Sequence, residues 1–285
     1  MEIVDYTPKY LKGMKLPWAE TRIMPIGDIQ YGSDGVDVAR LRKHINWGVE
    51  HDCLFIGTGD YSDFLSPSNR RALRNAGLYD TSANSIAKWA RAQEKELFDI
   101  LKPTKGRWLG LLEGHHFYEH EDGATTDTHL CEMLEAPFLG TCAMVRLTFE
   151  GNKRSKDCLI WAHHGQGGGD DPLRRLMRVA PAFPQVDIFL QGHNTSIDAR
   201  PKDVLEVYGP PGHIQLRDRT QMFVACGGFF RGYQRGSKAG PFVGRARGSY
   251  VEKDMMRPTA IGGPLITVTP RAKHDYNELD IKCSV

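Results

Sequence analysis

No run in this chain is long and apolar enough to cross a bilayer, and the opening segment MEIVDYTPKYLKGMKLPW has no apolar core of a secretory signal. The expectation is a cytoplasmic protein with no membrane partner. Charge of one sign is also missing: 37 basic against 35 acidic side chains leave a formal charge of +2, so any affinity for a polyanion has to be local. Cysteine is sparse. Cys53, Cys131, Cys142, Cys158, Cys226 and Cys283 are widely spread with no CxxC pair, which excludes a disulfide framework and a cysteine-based zinc site and predicts reduced, mostly buried thiols. There is no HExxH, no internal repeat and no low-complexity tract.

What is present is an ordinary globular composition, 40% hydrophobic and 25% charged over 285 residues, enough to bury a substantial core. We read the chain as a single domain of 1–285, with the motif-bearing part at 21–200 and a second sheet with the C-terminal strands at 201–285. Short β-rich runs at 21–26, 53–57, 107–112, 142–150, 157–162 and 187–191 alternate with helical patterns at 36–50, 82–101, 126–135 and 172–179, the signature of layered α/β architecture. After Thr195 the runs shorten, with strands predicted at 203–207, 221–225, 249–253 and 264–269. Glycine-rich loops at 165–169 and 227–248 would let a substrate approach the backbone closely.

Polar residues recur directly after the apolar runs: Asp28 and Gln30 in PIGDIQYG, Asp60 and Asp63 in GTGDYSDF, His115 and His116 in LLEGHHFYE, His163 and His164 in CLIWAHHGQGGG, and His193 in IFLQGHNTS. Any one of these is an ordinary turn, helix cap or hydrogen-bonded histidine. Five in succession, each at the end of a run, point to a shared site.

In this order the clusters resemble the calcineurin-like metallophosphoesterases, whose pattern runs D-x-H, GD-x-x-D, GNH-D/E, H and GH-x-H. The likeness covers Asp28 to about Thr195. It implies a four-layer α/β/β/α sandwich of two mixed β-sheets flanked by helices, two divalent cations, and hydrolysis of a phosphodiester or phosphomonoester by a metal-activated water. It assigns Asp60 as the bridging ligand, Asp28 to the first metal, and His115, one of His163 and His164, and His193 to the second. His163 is preferred as the residue immediately after the run, and the choice stays open. His116 falls where the family has a phosphate-binding or proton-donating histidine, and Asp63 where an acid orients it.

Three positions depart from that pattern: Gln30 for a histidine, His115 for an asparagine, and Thr195 for the last histidine of GH-x-H. The first site becomes oxygen-rich and weaker, suited to Mn²⁺ or Mg²⁺, and the second nitrogen-rich, suited to Zn²⁺, Mn²⁺ or iron. Two other readings are a catalytically silent single-metal member acting as a binding protein, and a mononuclear zinc hydrolase of another bond.

For the substrate, Arg231, Arg235, Lys238, Arg245 and Arg247 interleave with Phe229, Phe230, Tyr233, Phe242 and Tyr250 without an acid between, a pattern suited to single-stranded nucleic acid or a nucleotide. A solvated basic loop is the equally weighted alternative. His120, His129 and His213 have no ligands in pattern around them and read as solvated histidines.

Overall fold

The computed structural model describes residues 11–167, 169, 171–209, 212–233, 250–253, 255–274 and 276–285. Among the described residues, eleven strands fall into two mixed sheets. The first runs in the order β1 (Leu11–Pro17), β5 (Cys142–Gly151), β6 (Arg154–His163), β7 (Ile188–Gln191), β9 (Gln215–Cys226), β8 (Ile197–Tyr208). The second runs β11 (Asn277–Ser284), β10 (Leu265–Ala272), β2 (Thr21–Ile26), β3 (Leu54–Gly57), β4 (Trp108–Leu111).

The six runs predicted before Thr195 all form strands: β4 and β7 are apolar and buried throughout, whereas β5 alternates buried positions with half-buried or exposed ones. In β2 the pairing with β10 ends at Ile23, so Pro25, which has no N–H to give, sits beyond that ladder. Strands β2, β3 and β4 are parallel to one another, as are β6 and β7, so the loops after them open at common edges.

Three apolar clusters define the layers. Ile23, Ile56, Leu109, Val145, Ile160, Leu190, Val224 and Ile266 come from both sheets and fill the space between them. The outer face of the second sheet packs Met24, Phe55 and Leu111 against α1 (Val38–Glu50), α3 (Asp80–Leu101) and α4 (Thr126–Leu134). The outer face of the first packs Trp161, Phe189 and Phe223 against α5 (Arg174–Val179). The order is therefore helix, sheet, sheet, helix, the architecture that the motif resemblance implies.

The strands after Thr195 are shared between the sheets: β8 and β9 extend the first, β10 and β11 the second. That corrects the expectation of a separate later sheet. A second correction falls at 249–253. Tyr250–Lys253 forms a helical turn, α6, in which the buried Val251 packs over Gly232. Unforeseen elements are β1, β11 and α2 (Pro67–Asn75), the last started by Ser66 accepting from the Asn69 N–H and by Pro67 in its first turn.

All six cysteines are free, and Cys53, Cys131, Cys158 and Cys226 are buried, where loss of hydration pushes their thiols above the ordinary range. No helix among the described residues is long and apolar enough to cross a membrane.

Candidate metal centre

Each parallel strand delivers one polar group at its C-terminal end. Asp28 follows β2, Asp60 follows β3, His115 and His116 follow β4, His164 follows β6 and His193 follows β7. Asp28, Gln30, Asp60 and His193 all sit in the left-handed region, at φ of 45°, 52°, 53° and 62°, which costs non-glycine residues of order 1–3 kcal/mol each. Backbone bonds between the loops hold them there: the Asp28 N–H donates to Gly59 O, and the Gln30 N–H to Asp60 O.

The convergence is tight. One ligand atom from each of Asp60, His115, His164 and His193 lies within 4.8 Å of every other. Asp60 Oδ1 accepts from the backbone N–H groups of His115 and His116 and stands 3.4 Å from His164 Nε2. The His115 and His164 rings meet edge to face at 4.5 Å, His115 and His193 at 4.8 Å. His164 Nδ1 donates to the Thr58 carbonyl at 2.7 Å, which fixes its tautomer and turns Nε2 toward Asp60. Asp28 joins through Oδ2, which accepts from the His193 N–H at 2.8 Å.

Close approach demands glycine at two points. A Cβ on Gly114 would stand 2.0 Å from the Asp60 nitrogen, and one on Gly59 would stand 2.4 Å from His164 Nδ1.

The preference for His163 is corrected. Neighbouring residues at a strand end face opposite ways, so His163 stacks on Trp161 at 5.6 Å and accepts from the Gly165 N–H, while the fully buried His164 enters the cluster. Gln30, Asp60, His116 and His193 line a cleft of about 640 Å³ with Thr195, Phe230, Val251, Met256 and Arg257. Asp63 accepts from His116 Nδ1 at 3.0 Å, as the motif reading expected of an orienting acid.

Burial and neighbouring charge set the protonation pattern. Burial, then the Asp60 charge, raises Asp28 to about 8. Burial lowers His193 to about 4 and also depresses His115, leaving both rings neutral with lone pairs to offer. Burial alone would lower His164, but its contact with Asp60 outweighs that and raises it to about 9. Burial works to raise Asp60, yet His164 pulls it below the usual carboxylate range. The bond to Asp63 raises His116.

These donors fit a cation. Asp28 Oδ1 is buried without a hydrogen-bond partner and His164 Nε2 has only Asp60 Oδ1 near it, at 3.4 Å, and in a protein interior such atoms demand a partner that a divalent metal would supply.

Asp127, the second residue of α4, was not foreseen. Its Oδ2 accepts from the Gly114 N–H at 2.9 Å, steadying the loop that carries His115 and His116, and burial raises it to about 7. With the folded value above the unfolded one, its ionisation costs stability progressively as pH rises from about 4 to about 7. Metal-free Asp127→Asn protein is therefore expected to gain stability over the parent across that interval and hold the gain above it, measured by denaturant melts; a gain that shrinks with pH contradicts the assignment.

The basic, aromatic stretch is only partly described. Arg235, Lys238, Phe242, Arg245 and Arg247 lie outside the described residues, as does the side chain of Tyr250. Phe229 is 1% exposed in the core, edge-on to His44, so it offers no face for stacking. Arg231 pairs with Asp37, and the Tyr233 hydroxyl donates to Met256 O. Gly228 brings that segment against Asp28.

No family model matches the sequence, and no curated protein matches it. Among solved structures, the chain is similar to wild-type Vps29 complexed with Zn²⁺ from Entamoeba histolytica, at 10% identity and a TM-score of 0.35, covering 92% of this chain and 99% of that one. It is similar to a conserved uncharacterized protein from Streptococcus pneumoniae TIGR4, described as a predicted phosphoesterase, at 12% identity and 0.32, covering 93% and 99%. GAP50 of Plasmodium, an anchor in the inner membrane complex, aligns at 12% identity and 0.42, covering 93% and 90%. At such TM-scores the functional reading rests on the site's own geometry.

Proposed function

We propose that the chain is a metal-dependent phosphoesterase that hydrolyses a phosphodiester or phosphomonoester of a nucleotide or nucleic acid. The observation that carries this is the meeting of Asp60, His115, His164 and His193 within 4.8 Å, with the orphaned oxygen of Asp28 beside them. His115, His164, His193 and Asp60 would hold one cation, of Zn²⁺, Mn²⁺ or iron; Asp28, Gln30 and Asp60 would hold a weaker one, of Mn²⁺ or Mg²⁺. Bound cations of this kind polarise a P–O bond and lower the pKa of water.

The chain's own residues do the rest. Asp60 is kept ionised by His164 and would serve both positions. His116 faces the cleft with its Nδ1 tied to Asp63, so Nε2 is the nitrogen free to bind a phosphoryl oxygen or protonate the leaving one. The apolar wall of Phe230, Val251 and Met256 suits the organic half of an ester rather than inorganic phosphate.

Turnover of bis-p-nitrophenyl phosphate with Mn²⁺, abolished by chelator and by His164→Ala but retained by His163→Ala, is the expected result. Absence of hydrolysis with several metals, together with tight binding of one cation, would favour the silent reading. Full activity in Asp28→Asn would favour a mononuclear zinc hydrolase.

Cation uptake must displace protons from Asp28 and His164, held at about 8 and about 9 in the metal-free protein. Apparent affinity is expected to climb roughly 10- to 100-fold per pH unit between pH 6.5 and 8, the slope of one to two protons released. Calorimetry in buffers of different ionisation heat counts those protons, and a heat independent of buffer refutes the expectation.

A further inference from the structure

A second cluster lies apart from the cleft. Glu94 sits on α3, His129 on α4, and His120 on the short hairpin between the His115–His116 loop and α4, where the His120 N–H donates to Ala124 O and Glu119 bridges Thr125. One ligand atom from each falls within 4.8 Å of the other two. His120 Nε2 is 2.7 Å from Glu94 Oε1, and His129 Nδ1 is 3.3 Å from both Glu94 oxygens. The imidazoles stack at 4.6 Å and 29°.

Two features ask for more than an ordinary hydrogen bond. Glu94 belongs to the core-facing stripe of α3 with Ala90, Gln93, Leu97 and Ile100, a costly place for a carboxylate. Its ionic partners are the two imidazoles, with side-chain exposures of 2% for His120 and 23% for His129 against 7% for Glu94. Two imidazoles and a carboxylate from three separate segments thus turn their ligand atoms to one point, the donor set and convergence that a divalent cation takes. The 3.3 Å between His129 Nδ1 and the Glu94 oxygens is also the edge of a tetrahedron with bonds of about 2.0–2.1 Å, those of zinc to nitrogen and oxygen, and the 2.7 Å hydrogen bond of His120 would widen to that spacing on taking up the ion.

We propose that Glu94, His120 and His129 form a zinc site separate from the phosphoester cleft, with water as the fourth ligand on the partly exposed His129 side. The ion fastens α3, α4 and the hairpin into one unit, and that hairpin continues directly from the loop carrying His115 and His116. Its role is to position that loop. The sequence reading of His120 as solvated is corrected by its burial, while His129 is half-buried; they lie 26 and 35 positions from Glu94, a separation no local motif reveals.

The test uses full-length Asp60→Asn/His164→Ala protein, in which the cleft cluster is disabled. After dialysis against zinc-free buffer, mass spectrometry is expected to find about one equivalent of Zn²⁺, lost when His129→Gln or Glu94→Gln is added. The affinity should drop by more than the roughly 10–100-fold that removal of a mere outer partner costs. Circular dichroism confirms that each variant is folded. Imidazole NMR of the unsubstituted chain, which needs no variant at this cluster, should show the His120 and His129 resonances moving on addition of Zn²⁺. No retained zinc in the double variant, zinc retained after His129→Gln, or unmoved His120 and His129 resonances overturns the site. Loss of the cleft activity alone leaves these readouts intact, so the two proposals fail independently.

Discussion

Asp60→Asn is expected to reduce phosphoester turnover by at least about 10³-fold, since bound cations contribute several kcal/mol to the transition state and Asp60 is the carboxylate proposed to serve both positions. The fold should survive. An asparagine oxygen can still accept from the His115 and His116 N–H groups, and removing the charge relieves Asp28, whose carboxyl Asp60 helps to raise. Metal analysis of the variant should show the cleft cations depleted while circular dichroism stays unchanged. Turnover within tenfold of the parent, with metal bound, would show that the cluster is not the seat of the chemistry.

His116→Gln makes the second large change, and it separates proton transfer from metal binding. Positioned acids and bases supply roughly 10²–10⁴-fold, so kcat for an ester with a poor leaving group should drop by that factor while metal content holds. For p-nitrophenyl esters, whose leaving group needs little protonation, the loss should be far smaller. The pH profile carries the sign. The Asp63 bond raises His116 above its ordinary value, so the acid form persists to higher pH and activity falls as pH rises through that raised value. Asp63→Asn should move this alkaline limb to lower pH, and His116→Gln should abolish it. Equal losses for both leaving groups would reduce His116 to a phosphate-binding role.

The cleft cluster was legible because its residues sit where strand chemistry places them. An apolar run followed at once by GD or GH marks a buried strand that ends in a polar loop, and several such ends in one α/β sheet face the same side. Polar edge strands gave no such signal. β1 reads LKGMKLP and β11 NELDIKCS, each pairing on one side only, so neither needs the continuous apolar run of β7, which lies between two neighbours. β8 and β9 show the converse limit: their alternation was visible in part, yet which sheet they would join depends on packing against β7.

His163 and His164 show how narrow the limit can be. Both follow the same apolar run, and a shift of one residue exchanges which of them faces Asp60; β6 carries its pairing with β5 through His163, which leaves His164 to turn inward. Asp127 and Glu94 lie further beyond reach, since each reads as an ordinary helix acid until α3 and α4 dock.

The sequence by itself determined the layered α/β class, the reduced cysteines and the succession of aspartate and histidine clusters, because these follow from local periodicity and composition. Only the tertiary structure decided that His164 rather than His163 joins Asp60, that Asp127 holds the His115 loop, and that Glu94, His120 and His129 meet. Each of those facts depends on the distance between elements far apart in the chain, and that distance is set by how the helices pack on the sheets.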